Sequence, residues 1–157
     1  MAVDQFFKFQ RALRLTRPEE YAEGLKTRVA VRGLRFALHL RPNDFTAWRL
    51  GLVIPKRIAP NAVERNTVKR VWRELFRLSQ ARLQATVQGN KAYDLVIRLL
   101  PKPASESKVS RMGSVKFSSA LRKRAYYAEA TVLLAKLESK LASTSGVEST
   151  PGLLNRP

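Results

Sequence analysis

The chain has 157 residues, 45% of them hydrophobic, which suits one domain with a packed core. Its 30 Lys and Arg against 12 Asp and Glu give a formal charge of +18, which self-repels and calls for an anionic partner. The absence of cysteine excludes disulfides and thiolate metal sites. No apolar run approaches the ~20 residues of a membrane span, and no charged-then-apolar leader opens the chain, so no membrane partner is expected.

Residues 1–14 read as an N-terminal extension in which Phe6, Phe7, Phe9 and Leu13 dock on the domain or order with a partner. Thr16-Arg17-Pro18-Glu19 predicts the start of a helix, with Thr16 as N-cap, Glu19 at N3 and Pro18 in the first turn. Gly24 and Leu25 fall near its end. A short strand is expected around Val29-Ala30-Val31. Phe36, Leu38 and Leu40 then alternate with Arg35, Ala37 and His39. Arg41-Pro42-Asn43-Asp44 reads as a turn. Trp48, Leu50, Leu52 and Ile54 alternate with Arg49, Gly51 and Val53, so the two runs predict a hairpin. Pro55 and Pro60 bracket a loop that carries Lys56 and Arg57.

A second helix is expected from Asn61 or Ala62 to the low 80s. Wound at 3.6 residues per turn, it gathers Arg65, Asn66, Lys69, Arg70, Arg73 and Arg77 on one side. Val68, Val71, Trp72, Leu75, Phe76 and Leu78 take the other, so Trp72 is expected in the core. Arg65–Lys69, Lys69–Arg73 and Arg73–Arg77 are like-charged pairs at i,i+4, each costing about 0.2–0.5 kcal/mol. Only Glu74 is near enough to relieve them, as a partner of Arg70. A helix that bears this repulsion points to a polyanion. Gly89-Asn90 breaks the chain, and Asp94 to Leu100 suits a central strand ended by Pro101-Lys102-Pro103. A last helix is expected over residues 114–142, with Phe117, Leu121, Ala125, Ala128, Val132 and Ala135 as its core stripe. Lys116, Arg122, Lys123 and Arg124 add charge near its start. Residues 143–157 read as a flexible tail by composition, which leaves residues 15–142 as the domain.

Catalytic signals are sparse. One histidine, His39, excludes a His–His pair, and Glu19, Glu20 and Glu23 suit a helix first turn. No phosphate-binding loop or nucleophile elbow appears. These residues describe a nucleic-acid-binding protein of α+β class. Its elements run helix, two or three strands, helix, strand, helix, packed as a two-layer sandwich on a small mixed sheet. A ribosomal or other structural RNA-binding protein is the alternative reading. A DNA-binding module fits less well, because Trp72 and Phe76 anchor the basic helix and no helix-turn-helix partner precedes it.

Arg65-Asn66-x-x-Lys69-Arg70-x-x-Arg73-Glu74 resembles the RNA-binding motif of the bacterial ribonuclease P protein component. Lys56-Arg57 after the strand Leu50 to Ile54, the lead-in Asn61 to Glu64, and the opening Leu15 to Tyr21 extend the match. Arg32-Gly33 and Asp94 to Ile97 also fit, and the resemblance spans roughly residues 11 to 140. It implies the order α-β-β-β-α-β-α and a ribosomal S5 domain 2-like fold with a left-handed βαβ crossover through the motif helix. Periodicity alone predicts the right-handed form. It further implies the protein subunit of a cytoplasmic ribonucleoprotein that cuts the 5′ leader from precursor tRNA. In that family a large RNA is the catalyst, and RNA and substrate, rather than protein side chains alone, hold the Mg2+. Catalytic residues in the protein are therefore not expected, nor is an obligate protein partner evident. The resemblance places Arg65, Asn66, Lys69, Arg70 and Arg73 on the RNA, with Lys56, Arg57 and Arg77 beside them. It places Tyr21, Leu25, Arg35 and His39 along a leader cleft. Leu25 and His39 stand where the family carries aromatics, which weakens the expected stacking on the leader.

Overall fold

The computed structural model describes residues 9–87, 89–102, 104 and 119–145. The expectations for Phe6, Phe7, Lys116, Phe117 and the tail beyond residue 145 lie outside them. Within these residues the elements are a short 3-10 turn Arg11–Leu13, α1 (Pro18–Lys26), β1 (Val29–Arg32), β2 (Phe36–Asn43), β3 (Arg49–Val53), α2 (Ala62–Thr86), β4 (Ala92–Leu99) and α3 (Ser119–Ser145). The class is α+β, with a mixed four-stranded sheet in the order β1-β2-β4-β3.

β4 lies between β2, to which it runs antiparallel, and β3, to which it runs parallel. The expected β2–β3 hairpin therefore does not form, although β4 is central as its apolar run predicts. Leu95, Val96 and Ile97 are buried on both faces of the sheet, which a central position requires and an edge does not. The turn expected at Arg41 to Asp44 is displaced as well. β2 continues through Pro42 and Asn43, opposite Tyr93 and Ala92. The α2 crossover joins β3 to β4.

One sheet face carries Phe36, Leu38, Leu50, Leu95 and Ile97 under α2 and α3. Trp72 and Phe76 of α2 are fully buried there, and Trp72 meets Phe36 edge to face at 5.1 Å. Leu78, expected on this apolar side, is exposed, and Ser79 is buried in its place. The α3 stripe also differs from expectation. Tyr126, Ala130, Leu133, Leu134 and Leu137 face the core, while Leu121 and Val132 are exposed. Both sets recur at three and four residues, and the set with the larger side chains buries more apolar area.

The other face carries Ala37, His39, Arg41, Arg49, Gly51, Asp94 and Val96, and α1 lies across it. A Cβ at Gly24 would come within 2.5 Å of Val96 Cγ2, so only glycine lets α1 approach so closely. The α1 cap is shifted by one residue from the expected one. Pro18 takes N1, Arg17 is the N-cap, and Glu20 rather than Glu19 accepts from the N–H of Thr16 and Arg17, each at 3.3 Å. Residues 9–14 pack on the domain. Phe9 meets Phe76 at 5.7 Å, and Arg14 bridges to Leu50 beyond the β3 edge.

Candidate nucleic-acid interface

Asn61 starts α2 by accepting from Val63 N–H at 2.8 Å, and Trp72 and Phe76 fix the helix rotation from below. The outward stripe divides by what each cation touches. Arg65 Nη1 donates to the carbonyls of Ala59 and Pro60 at 2.8 and 2.7 Å, so it fastens the Lys56-Arg57 loop to the helix. Arg77 bonds Glu74 at 2.6 Å, so Glu74 pairs forward with Arg77 and not with Arg70. That direction, with the acid nearer the N-terminus, is the favourable one on the helix dipole. Asn66, Arg70, Lys56 and Arg57 are exposed, and Lys69 and Arg73 are half-buried. Lys69, Arg70 and Arg73 meet no carboxylate among the described residues. Burial and the neighbouring Arg14 hold Arg73 below the usual guanidinium range, so a phosphate there would relieve it.

The carboxylates are engaged elsewhere. Asp94, fully buried, takes two bonds from Arg49 at 2.8 and 2.7 Å and one from Asn43 at 2.8 Å. Arg49 also reaches Glu20 at 2.9 Å, and Arg41 pairs with Glu23. Glu129 takes Arg35, and Glu138 takes Arg82. Glu64, one residue before the motif, is buried and accepts from the Tyr126 hydroxyl at 2.6 Å. Burial of Tyr126 itself, and then its bond to Glu64, push the phenol well above its ordinary range. Apart from Glu74, these acids join elements to one another, and Lys69, Arg70 and Arg73 of the α2 stripe are left without a carboxylate among the described residues. Sequence reading missed Glu64–Tyr126 and Arg49–Asp94, because their partners lie 62 and 45 residues apart.

The residues assigned to the leader cleft are not all neighbours. Tyr21 lies half-buried over Gly51, with its hydroxyl donating to the Leu15 carbonyl at 2.9 Å. Leu25 is half-buried on the same helix. His39 is only 4% exposed beneath the end of α1. Its Nδ1 lies 2.9 Å from the Thr27 carbonyl and must donate there, because a carbonyl only accepts. Arg35 points to Glu129 on α3, away from α1. Among the described residues no group of three or more His, Asp or Glu is placed to hold a metal ion, and no helix is long and apolar enough to cross a membrane.

A small mixed sheet that supports a helix with three uncompensated cations, Lys69, Arg70 and Arg73, defines an RNA-binding protein of α+β class. The family described as Ribonuclease P matches residues 9–125. The ribonuclease P protein component of Azoarcus sp. is 41% identical over 92 residues, 59% of this chain and 71% of that protein. That of Ralstonia pickettii is 42% identical over 94 residues, 60% of this chain and 62% of that protein. In fold, the Staphylococcus aureus RNase P protein aligns with a TM-score of 0.57 and 20% identity, covering 80% of this chain and 94% of that one. The chain belongs to the ribonuclease P protein component family, whose holoenzyme is an endoribonuclease of tRNA 5′ processing.

Proposed function

We propose that this subunit grips the catalytic RNA through the α2 stripe and hands it the 5′ leader of precursor tRNA. The observation that carries the reading is the uncompensated set Lys69, Arg70 and Arg73 on a helix locked by buried Trp72. Arg70 and Arg73 offer forked contacts to phosphate oxygens, Lys69 a point charge, and exposed Asn66 a neutral hydrogen-bonding group. Lys56 and Arg57 extend the surface along the loop that Arg65 fastens, and Arg77 continues it beyond Glu74. Tyr21 and Leu25 are the leader contacts on α1, with His39 supporting them from beneath and Arg35 set apart on the α3 side. The protein supplies binding and position, Mg2+ is held by the RNA and substrate, and the complex acts in the cytoplasm. Residues 15–142 form the domain, the segment before them braces α2, and the tail follows.

Two titrations test this. Lys69→Ala, Arg70→Ala and Arg73→Ala should each weaken binding to the catalytic RNA at an unchanged melting temperature. Leu25→Phe should tighten holoenzyme binding of precursor tRNA by up to about tenfold, with Ca2+ in place of Mg2+ to slow cleavage. Mature tRNA should bind as before. Equal effects on both tRNA forms would remove Leu25 from the leader path.

A further inference from the structure

Phe45 stands 56% exposed in the β2–β3 loop. It is nevertheless held firmly. Its N–H donates to Asn43 Oδ1 at 2.9 Å, and Asn43 in turn donates to buried Asp94. Asp94 and Glu20 fix the Arg49 guanidinium by three bonds of 2.7–2.9 Å. The guanidinium carbon then sits 4.3 Å over the Phe45 ring. A concavity beside this stack is lined by Arg11, Arg14, Thr16, Arg17, Glu20 and Arg49. Glu20 is already satisfied by Arg49, and neither the Arg11 nor the Arg17 guanidinium pairs with a carboxylate among the described residues. Arg14 also lines the next groove, which it shares with Arg70, Arg73 and Lys123. The groove along α2 and the one beside Phe45 therefore meet at Arg14.

We infer that Phe45 is a stacking platform for an unpaired RNA base, with Arg11, Arg14 and Arg17 taking the adjoining phosphates. The inference rests on the RNA-binding reading above and extends it to a second contact. A rigid aromatic ring braced on one side by a guanidinium presents its remaining surface to a base without ordering cost, and stacking needs no particular sequence. The unpaired strand comes either from the tRNA leader or from a single-stranded part of the catalytic RNA. A plain hydrophobic cover for Arg49 would need only apolar bulk, which leucine also supplies.

Phe45→Leu and Phe45→Trp distinguish these readings in the assembled holoenzyme. Affinity would be measured for precursor tRNA, mature tRNA and the free catalytic RNA, together with the melting temperature. Stacking predicts that Phe45→Leu loses about tenfold in affinity while Phe45→Trp retains it, both at wild-type melting temperature. Loss confined to precursor tRNA names the leader as the strand, and loss confined to the catalytic RNA names that RNA. Unchanged affinity for all three, or a fall in melting temperature that accounts for the loss, overturns the platform. Lys69→Ala in parallel separates the two failures. If it weakens RNA binding and Phe45→Leu does not, the α2 reading stands without the platform. If neither does, the α2 reading fails as well.

Discussion

Residues one turn apart on α2 are expected to fail in different ways. Trp72 is fully buried against Phe36, so Trp72→Ala should cost about 3–5 kcal/mol and unfold much of the population. Lys69→Ala should leave stability within about 0.5 kcal/mol and reduce RNA affinity alone. Arg65 belongs to neither set. Losing its bonds to Ala59 and Pro60 should cost about 1–2 kcal/mol as well as RNA affinity, and chemical denaturation beside RNA titration would resolve the two. Gly24→Ala puts two effects in opposition. Helix propensity favours alanine by about 1 kcal/mol. A Cβ only 2.5 Å from the Val96 methyl meets a close-packed β-branched side chain on a central strand. Overpacking of about 1–3 kcal/mol should win, and a raised melting temperature would show that α1 shifts freely.

At the scale of elements, the sequence was most legible where charge and bulk segregate cleanly. The start of α2, the burial of Trp72 and the central place of β4 all follow from that segregation, while α2 runs on past the low 80s to Thr86. The hairpin misled because alternation in β2 and β3 describes each strand's faces but not its neighbour, and the neighbour, β4, pairs Asp94 with Arg49 and Ala92 with Asn43 from far along the chain. The α3 stripe misled because an alanine-rich helix repeats at three and four residues on two sides. Leu133→Ala should therefore cost about 2–5 kcal/mol, while Val132→Ala, 52% exposed, should be near neutral. Urea melts of the two variants would check this directly. The candidate site was half legible. The α2 stripe could be read from spacing, whereas His39's burial and Arg35's turn toward Glu129 depend on α1 and α3 packing from distant parts of the chain. The joint between α1 and β3 also predicts an acid response. Burial raises the Glu20 pKa, but bonds from Arg49, Arg17 and Thr16 outweigh it and hold the carboxyl below its ordinary value. A depressed folded pKa gives stability that is full above the unfolded value of about 4.3 and is lost as pH falls through the folded one. Glu20→Gln should flatten the stability profile in that window, and an unchanged profile would assign the acid loss to other groups.

Across the whole molecule the charge of +18 is sorted rather than spread. Carboxylates tie α1 to the sheet, α2 to α3 and β2 to α3, while Arg11, Arg14, Arg70, Arg73 and Lys123 line two grooves that meet at Arg14. The proposed function assigns binding to the protein and cleavage to the RNA. Purified protein without RNA should leave precursor tRNA intact at any Mg2+ concentration, and cleavage abolished by Glu20→Gln or Asp94→Asn would reverse that view. The most direct measurement is the salt dependence of binding to the catalytic RNA, for the wild type and for Lys69→Ala/Arg70→Ala/Arg73→Ala together. Each phosphate contact contributes about 0.7–0.9 to the slope of log affinity against log salt. The triple variant's slope should be shallower by about 2–3 at an unchanged melting temperature. Parallel lines for the two proteins would show that these three cations do not hold the RNA.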